Sequence, residues 1–374
     1  MTRYALKDIC TELHSGKGIS SSEISDAGKY PVIGGNGVRG YTTKSNFSGE
    51  CAVIGRQGAA CGNVRFFSGD AYMTEHAVMA RGNSICDSRY LAYALGQMHL
   101  GRLSAQSAQP GLSVKTLGEQ VIELPAHEEQ EAIVDVLGKL DDKISLNSQI
   151  NGYLAALLDA SYSLATENGA EVKTLPEVVD IFSGGTPKTG NPEYWEGGNI
   201  PFFAPGDVTR SVYALTTEKH ITEMGLANCN SSLYPIDTVF LTARGTVGKV
   251  AIAGNPMAMN QSCFAFRGKD IPQSVVFQII KHAVKSLKAK ANGATFAAIN
   301  TRDLGIERVA IPSKDAMHAY DRDASVWLSE ILTNEKENLR LANLRDALLP
   351  KLMSGEIDAS KVDLTQLNSH LSGC

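Results

Sequence analysis

The seven cysteines (Cys10, Cys51, Cys61, Cys86, Cys229, Cys263, Cys374) form no Cys-x-x-Cys pair. Their number is odd and their spacing scattered, which excludes an evident disulfide framework or zinc site and fits a reducing compartment. No uninterrupted apolar run reaches the roughly eighteen residues a membrane span requires. "TRYALKDIC" after Met1 is unlike a signal peptide. A cytoplasmic protein without membrane attachment is expected.

Catalytic signatures are scarce too. "RGTVGKV" contains Gly248-Lys249, but Ala243 stands where a phosphate-binding loop needs its first glycine, and Val250 replaces the metal-binding hydroxyl. The eight histidines show neither His-x3-His nor His-Glu-x-x-His spacing. No Gly-x-Ser-x-Gly elbow occurs. Asn191-Pro192-Glu193-Tyr194 resembles the Asn-Pro-Pro-Tyr loop with which adenine methyltransferases hold an extruded base. Glu193 in place of the second proline puts a charge beside the base and loses the rigid turn, and no glycine-rich methyl-donor loop follows a strand elsewhere. Catalytic, metal and cofactor sites are all expected to be absent.

Hydrophobic residues make up 43% of the chain and charged ones 20%, a balance that supports a sizeable core over two or more domains. The net charge of −5 is uneven. Residues 1–125 hold 12 Lys/Arg against 10 Asp/Glu, and residues 173–312 hold 14 against 11. Residues 126–172 hold 2 against 9, and residues 313–374 hold 7 against 10. A polyanion would meet the two larger, mildly basic segments.

The chain repeats itself. "MTEHAVMARG" (Met73 to Gly82) matches "MNQSCFAFRG" (Met259 to Gly268), and "LGEQVIELP" (Leu117 to Pro125) matches "LGIERVAIP" (Leu304 to Pro312). From Ile144 to Ala160, eight of seventeen positions are identical with Ile331 to Ala347. Each copy is a mixed segment followed by a helical one. In the first helical segment, Glu128 to Ala165, residues Ile133, Leu137, Leu140, Ile144, Leu154 and Leu158 follow steps of four and three, with Asn147 and Asn151 in the skipped places. That is a heptad seam about 57 Å long. The second, from about Arg322 to Met353, repeats it with Trp327, Ile331, Asn334, Asn338, Leu341 and Leu348. Helices this long pack lengthwise on a partner. Asn147, Asn151, Asn334 and Asn338 either fix register by pairing or sit solvated at the seam's edge.

In the mixed segments "CAVIG", "NVRFF", "TVFLT" and "KVAIA" read as strands, and "SRYLAYALGQMHLGRL" and "QSVVFQIIKHAVKSLKAK" as helices. The class is α+β. Polar and basic side chains on Gly-rich loops recur in both copies. They include Lys17, Asn36, Arg39, Lys44, Arg56 and Gln57 in the first, and Thr186, Lys188, Arg210, Arg244 and Lys249 in the second. Arg56 and Arg244 precede what read as matched glycine turns. Arginine can bind guanine bidentately, Asn or Gln can bind adenine, and Lys or Thr can hold phosphate. For each of these residues the alternative is a solvated turn.

Three motifs, set in a duplicated frame, resemble the DNA-specificity subunit of type I restriction-modification systems. "SGGTPKTGNPEYWEGGNIPFFAPGDV" (Ser183 to Val208) is similar to the opening of that family's target recognition domains. "LPAHEEQEAIVDVLGKLDDKISLN" (Leu124 to Asn147) is similar to its central spacer helix, and "LLPKLMSGEID" (Leu348 to Asp358) to the end of its distal helix. The first copy opens instead with "HSGKGISSSEISDAGKYPVIGGNGVRGY", which implies that the two copies read different bases.

The resemblance implies two target recognition domains (residues 1–125 and 169–312), a central helix (126–168), a distal helix (313–355) and a tail (356–374). The helices are expected to pair as an antiparallel coiled coil with pseudo-two-fold symmetry, to set the half-site spacing and to dock the methylation subunits on their acidic surface. It also implies a subunit that is not itself an enzyme and binds double-stranded DNA, two methylation subunits and restriction/translocase subunits. S-adenosylmethionine, ATP and Mg are then expected on those partners only. Two other readings stay open: a self-contained, diverged DNA adenine methyltransferase, and a duplicated scaffold that binds no DNA.

Overall fold

The computed structural model describes residues 1–104, 111–167, 169–290 and 298–362. Residues 363–374, most of the expected tail, lie outside the described residues. The chain divides into two compact units: Met1–Lys143 together with the chain from Arg340 onward, and Ile144–Leu339.

In the first unit, β1 (Thr2–Ala5) leads into β2 (Cys10–Ser15), β3 (Tyr30–Gly34), β4 (Gly37–Thr42), β5 (Phe47–Gly55), β6 (Val64–Met73) and β7 (Ala77–Gly82). Strands β2 to β7 form one sheet in the order β2-β7-β5-β6-β3-β4. Ala71 pairs with Phe47, yet Ala77 pairs with Gly55 at the other end of β5. Six residue steps reach at most about 21 Å, less than the ~27 Å that a straight strand from Phe47 to Gly55 would span. The β5–β6 hairpin is therefore bent. The bend fits Gly49 and Gly69, which face each other with φ of +111° and +124°, conformations open to glycine. Arg81 holds it by donating to the carbonyls of Ser48 and Glu50, with its guanidinium 5.0 Å from the Phe47 ring centroid.

Helix α1 (Ser88–Gln97) starts at Asp87, whose carboxylate accepts the N–H groups of Arg89 and Tyr90. Its Tyr90, Leu91 and Leu95 are fully buried, each contributing on the order of 2 kcal/mol. The apolar pattern predicts that this helix continues to Leu103. It stops at Gln97 because His99 takes φ +49°, and a short 3-10 turn, Leu100–Ser104, follows. Helix α2 (Val114–Gly118) and β8 (Val121–Leu124) close the segment, with β8 antiparallel to β1. Helix α3 (His127–Glu167) then runs for 41 residues.

The second unit repeats the plan. It has β9 (Glu171–Thr174), α4 (Leu175–Val178), β10 (Val179–Ser183), β11 (Ile200–Phe203), β12 (Tyr213–Ala214), β13 (His220–Ile221), α5 (Glu223–Ala227), β14 (Val239–Thr242), β15 (Val250–Ala253), β16 (Ala258–Met259) and β17 (Cys263–Gly268). These are followed by α6 (Gln273–Lys290), α7 (Thr301–Ile306), β18 (Arg308–Ile311) and α8 (Lys314–Met353). The order β10-β17-β14-β15 matches β2-β7-β5-β6. Strand β9 pairs with β18 as β1 does with β8. The buried Leu6 donates its N–H to Gln120 at 2.8 Å, and the buried Leu175 donates to Glu307 at 2.9 Å.

Both long helices cross the boundary between the units, so each unit holds part of each helix. In the first unit Ile133, Val136, Leu137 and Leu352 enter the same core as α1. In the second, Leu158, Tyr162, Met317, Tyr320, Leu328 and Ile331 share a core with α6. The α8 helix begins at Lys314, eight residues before the Arg322 from which its apolar pattern is read and one residue after the 313 that the resemblance implies. Among the described residues, no helix is long and apolar enough to cross a membrane.

Candidate nucleic-acid interface

In the first unit, several candidate side chains gather around the Gly34–Gly37 turn. A Cβ on Gly35 would lie 3.0 Å from the His76 carbonyl and 3.2 Å from Gly55, so this turn packs directly on the end of β5. Asn36 is exposed and accepts from the Arg65 guanidinium at 3.3 Å. Arg39 folds over Gly34. Arg56 anchors its backbone to His76 (3.0 Å) and to Leu112 (2.9 Å), and the exposed Gln57 follows it. Lys17 is exposed, its N–H bonded to the carbonyl of Met73 at 3.0 Å. Lys44 is committed elsewhere, in an ion pair with Glu23 at 2.5 Å. Arg65, on a strand and outside the Gly-rich loops, also belongs to the cluster.

In the second unit Gly184 and Gly185 lie against the turn that precedes β17, donating to Cys263 (3.3 Å) and Met259 (3.2 Å). Thr186 donates to the side chain of Gln261 in that turn. Arg244 also meets it, its N–H bonded to Ser262 at 3.3 Å and its side chain exposed. Thr186, Gln261 and Arg244 are thus neighbours, and nothing in the sequence pattern pointed to Gln261. Lys188 and Arg210 are exposed on separate loops. Lys249 immediately precedes β15, its N–H bonded to the Thr242 hydroxyl at 3.0 Å.

The repeat aligns differently here from the pairing of arginines in the sequence. Gly55 pairs with Ala77 in one sheet, and Thr242 with Cys263 in the other. Leu112 donates to Arg56, and Ile299 donates to Ala243. Arg56 therefore corresponds to the buried Ala243, and Gln57 to Arg244.

Asn191-Pro192-Glu193-Tyr194 is a packing element. The Asn191 side chain accepts the Glu193 N–H at 3.3 Å, and Thr222 donates to the Tyr194 carbonyl at 3.0 Å. Its amide is committed to capping this 3-10 turn. The buried thiols of Cys51, Cys86 and Cys263 are pushed up to about 12 by burial, which keeps them protonated.

The four register asparagines meet across the helix pair. Asn147 donates to Asn338 at 2.9 Å and Asn334 to Asn151 at 2.9 Å. Asn147 is also bonded to Glu337 at 2.6 Å. Beside them the Glu335 carboxylate accepts the N–H groups of Val212 (3.0 Å) and Tyr213 (3.2 Å), tying α8 to β12. Burial raises its pKa to about 7.

The α3 helix also carries exposed apolar side chains outside its heptad seam. Leu146, Tyr153, Leu157 and Leu164 are 52, 72, 45 and 66% exposed. Their spacing of seven, four and seven makes a second apolar stripe beside the buried seam. The matched positions in α8 are Thr333, Arg340, Leu344 and Lys351, so α8 lacks an equivalent stripe.

A family model described as the type I restriction modification DNA specificity domain matches residues 1–155 and again 167–321. The EcoprrI specificity subunit of a type I restriction enzyme from Escherichia coli is 38% identical over 134 residues, 35% of this chain and 33% of that protein. The HindI specificity subunit from Haemophilus influenzae is 30% identical over 195 residues, 50% of this chain and 42% of that protein. These alignments thus span less than half of either relative. The crystal structure of a type I restriction-modification S subunit from M. genitalium shares the fold, with a TM-score of 0.60 at 17% identity, covering 94% of this chain and 95% of that one.

Proposed function

Because the chain belongs to the type I restriction-modification DNA specificity family, we propose that it is the sequence-reading subunit of such a complex. Each unit reads one half of a bipartite, asymmetric target through the major groove. The observation that carries this is a shared framework bearing unlike loops. The same strand order and the same anchoring hydrogen bonds present Gln57 in one unit and Arg244 in the other, and Arg56 in one where the other has Ala243. Gln suits adenine and Arg suits guanine, so matched positions select different bases.

The long helices act as the spacer between half-sites. Lengthening both by four residues, after Gly152 and after Leu332, adds about 6 Å. This is expected to widen the unread gap by about two base pairs without altering either half-site.

Chemistry resides on partners: two methylation subunits carrying S-adenosylmethionine, and restriction/translocase subunits carrying ATP and Mg. The exposed α3 stripe, rather than the acidity of the helices, offers the stronger contact for a methylation subunit, since apolar area drives association. The acidic helical segments repel phosphate and leave DNA to the loops. The complex works in the cytoplasm, where its DNA is.

The test is selection from a random duplex pool by the chain assembled with its methylation subunits. Retained duplexes should share two short, unlike motifs at a fixed gap. Retention without any shared motif would overturn the reading.

A further inference from the structure

Beside the candidate loops, the first unit holds an open groove of about 600 Å³ where the tip of the β5–β6 hairpin meets the end of α1. Arg65 and Asn63 line it from the hairpin, and His99 and Arg102 from the helix end. Among the described residues that line it there is no carboxylate. The groove exists because α1 stops early. His99, at φ +49°, turns the chain so that Gly101 backs onto Gly62, where a Cβ would lie 2.1 Å from the Gly101 nitrogen. Arg65 and Arg102 are both exposed.

The second unit builds the matched junction with other parts. Gly248, at φ +75°, stands where Gly62 has φ +84°. Lys249 follows it, and α6 continues to Lys290. Lys288 lies across the junction, its ammonium 3.4 Å from the Gly248 carbonyl. Between the repeats the side chains, the backbone path and the shape of the junction change, while the sign of the charge stays. Base readout needs donors in fixed geometry, whereas a phosphate needs only positive charge within reach.

We propose that both junctions hold the DNA phosphodiester backbone, with Arg65 and Arg102 in the first unit and Lys249 and Lys288 in the second, as sequence-independent anchors beside the reading loops. The assignment rests on the sequence-reading function proposed above. Arg65 connects the two roles in the first unit, since the guanidinium that lines the groove also holds Asn36 in the adjoining turn.

The test uses the chain assembled with its methylation subunits, titrated with its target duplex and a random-sequence duplex over a range of salt. Arg102→Gln should weaken both by the same factor and make the slope of log affinity against log salt shallower by about 1, and Arg65→Gln/Arg102→Gln by about 2. Arg322→Gln, an exposed arginine on α8, should leave the slope unchanged. An unchanged slope in the double variant, or a loss confined to the target duplex, would overturn the anchor while the reading function stands. Salt-insensitive binding by the wild type would overturn both.

Discussion

Asn147 donates its side-chain amide to Asn338 at 2.9 Å, and Asn334 does the same to Asn151. By the internal repeat, Asn147 corresponds to Asn334 and Asn151 to Asn338. Exchanging the two helices therefore turns one bond into the other, as antiparallel pairing of duplicated helices requires. A polar pair in an otherwise apolar seam specifies alignment at the expense of stability.

Asn147→Ala should destabilise the chain by about 1–3 kcal/mol, because it leaves Asn338 without this partner in a partly buried seam. Asn147→Leu with Asn338→Leu should recover most of that loss. A double-mutant cycle by urea denaturation should give a coupling energy of at least about 0.5 kcal/mol, and additive single effects would contradict the pairing.

Glu335 gives the second unit a pH signature. Its carboxyl is raised by burial from 4.5 to about 7, so the folded state keeps a proton that the unfolded chain releases. The resulting stability is fully present below about pH 4.5 and is lost as pH rises through about 7, on the order of a few kcal/mol at most. Thermal melts of Glu335→Gln should show a flatter pH dependence than wild type over that window. Parallel curves would show that Glu335 does not set the slope.

Arg244→Ala should weaken binding to the target duplex by about 1–3 kcal/mol while changing random-duplex affinity little. Competition titrations at one fixed salt concentration separate the two. An equal loss on both duplexes would reassign Arg244 to phosphate.

Tyr153→Lys with Leu157→Glu should abolish co-purification with the methylation subunit while leaving the melting temperature within a few degrees of wild type, because both side chains are exposed. Unchanged assembly would place the docking surface elsewhere.

The helices were legible because Ile133, Leu137, Leu140 and Ile144 keep strict four-three spacing, which only a helix turns into one face. The start of α8 came from the resemblance, which implies a distal helix from 313; the apolar pattern reached only to Arg322, because the Asp- and His-rich residues between Met317, Tyr320 and Ala324 hid the buried periodicity that these continue. The end of α1 was not legible, since nothing in "GQMHLGRL" marks His99 as the residue that leaves the helical region. The match of Gln57 with Arg244 was also out of reach. Aligned arginines suggested Arg56, and only the hydrogen-bond register of the strands shows the one-residue offset. Neighbours of the candidate loops such as Gln261 and Arg65 are brought in by tertiary packing, which local pattern does not report.

The most direct measurement is a genome-wide map of methyladenine in cells expressing this chain with its methylation subunit, set against cells expressing the methylation subunit alone. The account predicts a new motif of two unlike half-sites separated by a fixed number of unread base pairs. A stable complex that adds no motif, or one that adds a single uninterrupted motif, would contradict it.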